Sequence, residues 1–493
     1  MAKKVGRMAS EDLGRDPKGS CGDMSIEESE NRYPRFSDRY VLHLTPSEGI
    51  VRSANWGKRF TGDTYTFGGE LDFINNAAAR LLSSSNGQTT LREVAQMVYP
   101  GSHDAKQKEI ISTFFKDAIG KGHIELLGEK SASASIQKTG SFDYYVPIHI
   151  SVELSSRCNL RCPYCYNEFS KNETELEASE VISLLDEWQT HGLLGAELTG
   201  GEPLLHKGFW DIFEFCTQNF RRTGLLTNGT LVDKATAKRI GKAKDAVLLS
   251  ISMDGSCPEV HDKFRGAGSF EKSREAVRLL SSEGVLVRVG MSITPENIFD
   301  LENTVIMARD CGAKYFSFAP VLAFGRGKQV AWNWDGEKTQ DVFKMEFDVI
   351  KKYEGFVTTV PKSSEEIFKK MGNCGMGYKN LVVSPSGKIK ACLMLPEESY
   401  LGDIRKESLE EIFRKPILRQ LREMRSPSDE DGELCHGCRY ALYCKGCGLR
   451  PLNIFEKEGR ICQWGERYRI QDWLPDYRKY PYDQSKPIFT WTK

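Results

Sequence analysis

Three cysteines, Cys158, Cys162 and Cys165, stand in the spacing C-x3-C-x2-C directly after a strand-like run, Val146–Leu154. Three thiolates crowded together need a counter-charge, and soft thiolates suit iron–sulfur clusters or zinc. A [4Fe–4S] cluster held by three cysteines leaves one iron open for a small molecule. Taken alone, the stretch also fits a zinc knuckle or a disulfide pair. Any fold for this chain must therefore join a strand end to a cysteine-bearing loop at this point.

At 493 residues the chain exceeds one ordinary core, and its length suggests about three domains. Lys plus Arg equals Asp plus Glu at 68 each, so no global field recruits nucleic acid or an anionic membrane. The start, Met1-Ala2-Lys3-Lys4-Val5, lacks the apolar run of a secretion signal, and no segment reaches ~20 apolar residues. Fourteen cysteines without such a signal argue for a reducing, cytoplasmic setting and for metal ligation rather than disulfides. Cys21, Cys216, Cys257 and Cys311 fall outside ligand-like spacings and read as buried or incidental thiols.

Residues 1–37 are polar and read as a disordered tail. From 38 to 128, short β-like runs (Gly49–Arg52, Thr64–Phe67, Leu71–Ile74) precede three amphipathic helical stretches. These are Asn75–Leu82, Thr89–Val98 with a capping threonine, and about Asp104–Gly120. Residues 129–145 are mostly small and polar, a linker. From 146 to 330 six strand candidates alternate with helical patterns: Val146–Leu154, Gly195–Thr199, Thr223–Thr227, Ala246–Met253, Val285–Ile293 and Lys314–Pro320. Such alternation means βα units and a parallel α/β sheet, with ligands gathering at the carboxyl ends of the strands. Residues 331–372 bridge to a cysteine-rich region, 373–470, and 471–493 form a tail.

The strand ends carry the polar motifs. Thr199-Gly200-Gly201-Glu202-Pro203 closes the second strand, Thr227-Asn228-Gly229 the third, and Ser252-Met253-Asp254-Gly255 the fourth, followed by His261-Asp262 and Arg265-Gly266. With Tyr164 just before the last cysteine, this set resembles the radical S-adenosylmethionine (SAM) superfamily. The resemblance implies a partial (β/α)6 barrel, a SAM-binding [4Fe–4S] cluster on Cys158, Cys162 and Cys165, and cleavage of SAM to a 5′-deoxyadenosyl radical. It implies further that Gly200, Gly201 and Glu202 hold the SAM amino group. Ser252 and Arg265 match the positions that bind its carboxylate, Tyr164 should lie near the adenine, and Asn228 and Asn297 are the remaining cofactor contacts, Asn297 toward the ribose. An arginine fork suits a planar carboxylate better than a lysine would.

Downstream, Cys374 is followed by Gly387 and Cys392, then by Cys435-x2-Cys438-x5-Cys444-x2-Cys447 and Cys462. This resembles the seven-cysteine SPASM domain, except that its last internal spacing is two residues where the family usually has three. The family's wiring implies one [4Fe–4S] cluster on Cys435, Cys438, Cys444 and Cys462, and a second on Cys374, Cys392 and Cys447. Zinc remains the chemical rival for C-x2-C pairs. Asn380–Ser384, a Pro-Ser-Gly turn and Ile389–Cys392 read as a hairpin. In arylsulfatase-maturing relatives an aspartate follows the second SPASM cysteine as base; Leu393-Met394-Leu395 stands there instead, and no residue is singled out as catalytic.

The 38–128 region resembles the winged-helix RiPP recognition element (RiPPs are ribosomally made, modified peptides), with a DNA-binding winged helix as the alternative. Arg92 is the only basic residue of its second helix, where a DNA-reading helix usually has several. The resemblances together imply an oxidoreductase with three [4Fe–4S] clusters and SAM that installs a modification, a thioether or other crosslink, on a precursor peptide bound through its leader. A flavodoxin or ferredoxin would supply electrons. The alternatives are a maturase of a folded protein or a tetrapyrrole side chain, and an Fe–S redox sensor or electron carrier with a DNA-binding winged helix.

Overall fold

Alternating apolar stretches of five to eight residues pair here as the βα reading requires. The computed structural model describes residues 29–54, 71–101, 105–132, 135–167, 173–329, 336–358, 373–377, 380–427, 434–479 and 481. The run Thr64–Phe67 and Cys21 lie outside them. Two compact units result, one built from residues up to Asp38 together with Arg80–Ile136, the other from Arg39–Ala79 and Gln137 onward.

In the smaller unit, β1 (Tyr33–Phe36) pairs antiparallel with β5 (Ile124–Leu127), so ordered strand begins inside the stretch read as a tail. The helix Leu91–Val98 starts at Thr90, whose hydroxyl accepts from Glu93 N–H while the Glu93 carboxylate accepts from Thr90 N–H. That capping box fixes a short helix that propensity alone would leave marginal. The helix Ala105–Gly120 turns Phe115 wholly inward and packs Phe114 edge-to-face on it.

The larger unit holds two sheets. One has the order β4-β3-β2-β6, built from β2 (Tyr40–Leu44), β3 (Glu48–Ser53), β4 (Leu71–Asn75) and β6 (Lys138–Gly140). The expected winged-helix boundary at 38–128 is therefore not followed, because these strands share a core with the barrel. Ile50, Ile148 and Leu194 are buried together, with Leu71 and Phe73 against them. The expected linker contributes β6, pairing parallel with β2, and Thr139 meets His43 Nδ1 at 3.0 Å.

The second sheet contains β7 (His149–Glu153), β8 (Gly195–Thr199), β9 (Arg222–Thr227), β10 (Val247–Ser252), β11 (Leu286–Ile293) and β12 (Tyr315–Pro320). They pair in parallel and in chain order, as expected for the partial barrel. Along β7, Ile150 and Val152 are wholly buried in the main hydrophobic core, while Ser151 and Glu153 reach polar partners on other strands. Each fully buried aliphatic stabilises by about 1.5–3 kcal/mol. Three more strands extend this sheet beyond β7. β13 (Asn380–Val383) runs parallel to β7, and β14 (Lys388–Lys390) and β15 (Tyr400–Asp403) follow antiparallel. The hairpin read from the sequence is thus present, and it is hydrogen-bonded into the barrel. Among the described residues no helix is long and apolar enough to cross a membrane.

Candidate functional site

The loop from Ser155 to Tyr166 leaves the carboxyl end of β7 and is fastened on two sides. Gly201 N–H donates to Ser155 O at 2.7 Å and Glu202 N–H to Arg157 O at 2.8 Å. A Cβ on Gly201 would stand 2.0 Å from the Arg157 carbonyl oxygen, and one on Gly200 (φ +128°) 2.6 Å from that of Ser155. Only glycines permit this approach. From the other side, Arg326 N–H in the loop after β12 donates to Cys165 O at 2.9 Å. Loops from β8 and β12 thereby fix the thiol-bearing segment without using its sulfurs.

The thirteen described cysteines are all free thiols, and ten of them sort into three groups. Cys158, Cys162 and Cys165 share one electrostatic environment, Cys374, Cys392 and Cys447 a second, and Cys435, Cys438, Cys444 and Cys462 a third. Burial, then the neighbouring Glu202 and sulfurs, pushes Cys158 up to about 11. Burial and the other two thiols of its group push Cys392 up to about 12. Cys374 keeps a water-accessible face, although the surrounding protein pushes its thiol up to about 11. Cys444, buried, lies well above the ordinary thiol range for the same reasons. Buried thiols that resist ionisation beside one another suit a bound cation, which removes both penalties at once. Among the described residues, no three His, Cys, Asp or Glu side chains close on a single point as around one metal ion. The four-cysteine group lines a cavity of about 80 Å³ with Tyr440 and Trp464. Three- and four-thiol sets of this kind fit iron–sulfur clusters. Cys216 and Cys311 are buried and Cys257 partly so, all outside the groups.

Beside the first thiol group, the polar residues of the strand ends converge. Arg265, 9% exposed, donates through Nε to Asp254, and Tyr164 donates its hydroxyl to the same carboxylate oxygen. The Arg265 cation lies 5.9 Å from the Tyr164 ring centroid. Burial acts to lower the Arg265 pKa, but Asp254 and the sulfurs of Cys162 and Cys165 hold it above its ordinary value. Tyr164 packs on Phe264 and Val321 next to Cys162. Asp254 is itself completely buried; its other oxygen accepts from Ser292 N–H at 2.8 Å, and its N–H donates to His261 Nδ1 at 3.1 Å. Asp254 and His261 organise this corner, although in the sequence they stand only within the longer run from Ser252 to Arg265. A carboxylate just past a strand end, eleven residues before a buried arginine, was the available signal.

Three expected contacts have other partners. Glu202 is completely buried, accepting from Thr227 Oγ1 at 2.7 Å, Asn228 N–H at 2.9 Å and Leu204 N–H at 3.3 Å. Burial, opposed by those donors, raises its carboxyl to about 7. Asn228 donates to Asn159 Oδ1 at 2.9 Å and accepts from Thr230, holding the start of the cysteine loop. Asn297, expected to reach the ribose, is buried with its amide engaged within the protein. Its Oδ1 accepts from Thr294 N–H and Oγ1, and its Nδ2 donates to Asp254 O and Ser292 O, which saturates the amide. Ser252, at the end of β10, is partly exposed.

Comparisons with known proteins agree with this arrangement. Residues 152–308 match the radical SAM superfamily and residues 374–439 an iron–sulfur cluster-binding domain, SPASM. The antilisterial bacteriocin subtilosin biosynthesis protein AlbA of Bacillus subtilis is 30% identical over 450 residues, covering 90% of this chain and 98% of AlbA. The sporulation killing factor maturation protein SkfB of the same species is 27% identical over 329 residues, 65% of this chain and 76% of SkfB. The crystal structure of Streptococcus suis SuiB bound to precursor peptide SuiA shares the fold, with a TM-score of 0.57 at 16% identity over 86% of this chain and 97% of that one. The chain belongs to the radical SAM superfamily, among its SPASM-domain enzymes, which bind S-adenosylmethionine and iron–sulfur clusters.

Proposed function

We propose that this enzyme modifies a ribosomally made precursor peptide, installing a thioether or another crosslink at an unactivated C–H position. The observation that carries the reading is the sorting of ten thiols into groups of three, three and four, the first of them beside the arginine corner. Similarity to AlbA along nearly its whole length supports the peptide substrate, since that relative's name ties it to making a bacteriocin. A [4Fe–4S] cluster with one iron free would supply the electron that cleaves SAM. Cys158, Cys162 and Cys165 would hold it. Asp254 holds Arg265 in a fixed orientation, from which its remaining N–H groups would take the SAM carboxylate. Glu202, kept from water, would turn toward the SAM amino group with Gly200 and Gly201 forming the adjoining wall. Tyr164 and Phe264 would shield the adenine side from solvent. Cys374, Cys392 and Cys447, and Cys435, Cys438, Cys444 and Cys462, would hold two auxiliary clusters as electron acceptors.

The leader would add to the edge of the four-stranded sheet, where β4 pairs only with β3 among the described residues. Main-chain hydrogen bonds would supply affinity there. The redox-sensor alternative is not favoured, since a sensor needs no corner built to hold a SAM carboxylate.

The test takes anaerobically reconstituted protein with SAM, dithionite and candidate precursor peptides drawn from short reading frames sought beside its gene. A mass change in the peptide with 5′-deoxyadenosine release is expected, and hydrogen exchange should show protection of 71–75 when the peptide is bound. Release of 5′-deoxyadenosine with no peptide modified would overturn the substrate reading. Modification without that protection would overturn the docking strand alone.

A further inference from the structure

Apart from the arginine corner, the barrel contains a second buried ion pair. Glu153, completely inaccessible at the end of β7, meets Lys390 Nζ at 2.8 Å, and Lys390 is only 4% exposed. Tyr166 donates its hydroxyl to the other Glu153 oxygen at 3.1 Å, and Lys390 also reaches Leu393 O at 3.4 Å. Burying two opposite charges is a poor way to gain stability, because desolvation offsets most of their attraction. What the pair does have is position. Tyr166 directly follows Cys165, and Lys390 precedes Cys392 by two residues. The chain Tyr166–Glu153–Lys390 therefore connects the segment bearing the first thiol group to the segment bearing the second, across β13.

We propose that Glu153 and Lys390 are positioning residues that brace the SAM-cluster loop against the auxiliary-cluster loop and set the electrostatic field at the Cys374/Cys392/Cys447 cluster. This rests on the assignment of those three cysteines as ligands. A cluster becomes more negative on taking an electron, so a nearby cation favours reduction and a nearby anion opposes it. As a pair the two charges nearly cancel. Removing one leaves the other unscreened in a low-dielectric interior.

The experiment is a dithionite redox titration, followed by electron paramagnetic resonance, of reconstituted protein in which Cys158, Cys162 and Cys165 are replaced by alanine, so that only auxiliary clusters report. Lys390→Met should shift one auxiliary potential to more negative values and Glu153→Gln should shift it to more positive ones. The double variant Glu153→Gln/Lys390→Met should return near the parent, which general structural damage would not do. In the otherwise intact enzyme, each single variant should yield less modified peptide per 5′-deoxyadenosine released, with Lys390→Arg restoring the ratio. Full iron content with both single variants at the parental potential, or both shifted the same way, would overturn the inference. If Cys392→Ala keeps parental iron, the ligand assignment fails instead, and the two failures are told apart by that measurement.

Discussion

The first thiol group and the four-cysteine group are built in opposite ways. Cys158, Cys162 and Cys165 lie on a loop at a sheet's carboxyl end, partly exposed, with an arginine, a buried carboxylate and two glycines beside them. Cys435 and Cys438 lie in the loop before the short helix Ala441–Cys444, which Cys444 ends, and Cys462 caps the helix Gln463–Arg467, around a cavity that Tyr440, Trp464 and Ile454 also line. One surrounding sets charged groups against the sulfurs; the other is mostly apolar, with two of its four cysteines buried and two partly exposed. Metal sites that do chemistry keep an open coordination position, whereas sites that store charge or fix structure are sealed. The difference teaches that identical ligand chemistry takes its role from the shell around it.

The strongest way to break this comparison is to remove the open group. Replacing Cys158, Cys162 and Cys165 together by alanine should remove all SAM cleavage and about a third of roughly 12 iron atoms per chain, four per cluster. Zinc in the reconstituted protein, or unchanged iron in the variant, would dissolve the comparison. Next in size comes Gly201→Ala, whose methyl would fall 2.0 Å from a carbonyl oxygen that cannot move without the cysteine loop. SAM cleavage should be lost while the auxiliary clusters keep their spectra; retained cleavage would show that the two loops are not tightly joined. Arg265→Lys keeps the charge but loses the planar fork, so SAM affinity should fall about thirtyfold, on the order of 2 kcal/mol, at unchanged iron. Equal affinity would remove Arg265 from the site.

The effect farthest from SAM chemistry, read in stability alone, concerns Glu346, 8% exposed on the helix Gly336–Lys352, whose Oε1 has no hydrogen-bond partner. Burial raises its carboxyl to about 7, with Arg450 acting in opposition. A carboxyl raised in the folded state keeps its proton where the unfolded chain has released it. Its contribution therefore declines as pH rises from about 4.5 to about 7, by up to about 3 kcal/mol. Glu346→Gln should flatten that decline and raise stability above pH 7, measured by thermal melts across pH. A parallel pH profile for the variant would show that the group titrates normally.

Much of the site was legible because local sequence carries it. β8 appears at the bounds its apolar run suggested, Gly195–Thr199, and all six parallel strands fall within a few residues of their patterns. The intervals marked the ten cysteines, but their division into three groups came from the family's wiring, because Cys447 stands in the Cys444-x2-Cys447 run and yet groups with the distant Cys374 and Cys392. What was not legible depends on partners far along the chain. Glu153 and Lys390 are 237 positions apart (390 − 153), and no local pattern marks either one. Asn297 looked like a ligand residue because hydroxyl and amide groups at a strand end suit a ribose; the same groups satisfy one another. The region 38–128 looked like one domain because its elements are consecutive, whereas Ile50 and Phe73 bury their apolar surface with Ile148.

The pairing of β13 with β7 has a consequence for synthesis. Strand β7 presents a bare hydrogen-bonding edge from the moment it emerges, and the segment that covers it lies some 230 residues later, as in the 231-residue separation of His149 and Asn380. Non-local pairings of this length form late, and an uncovered edge invites intermolecular pairing in the meantime. The nascent barrel therefore cannot reach its final sheet until the chain past Ser384 has left the ribosome. Expression at a low rate, which keeps uncovered chains dilute, should therefore lower the aggregated fraction, and an unchanged fraction would show that the open edge of β7 is harmless.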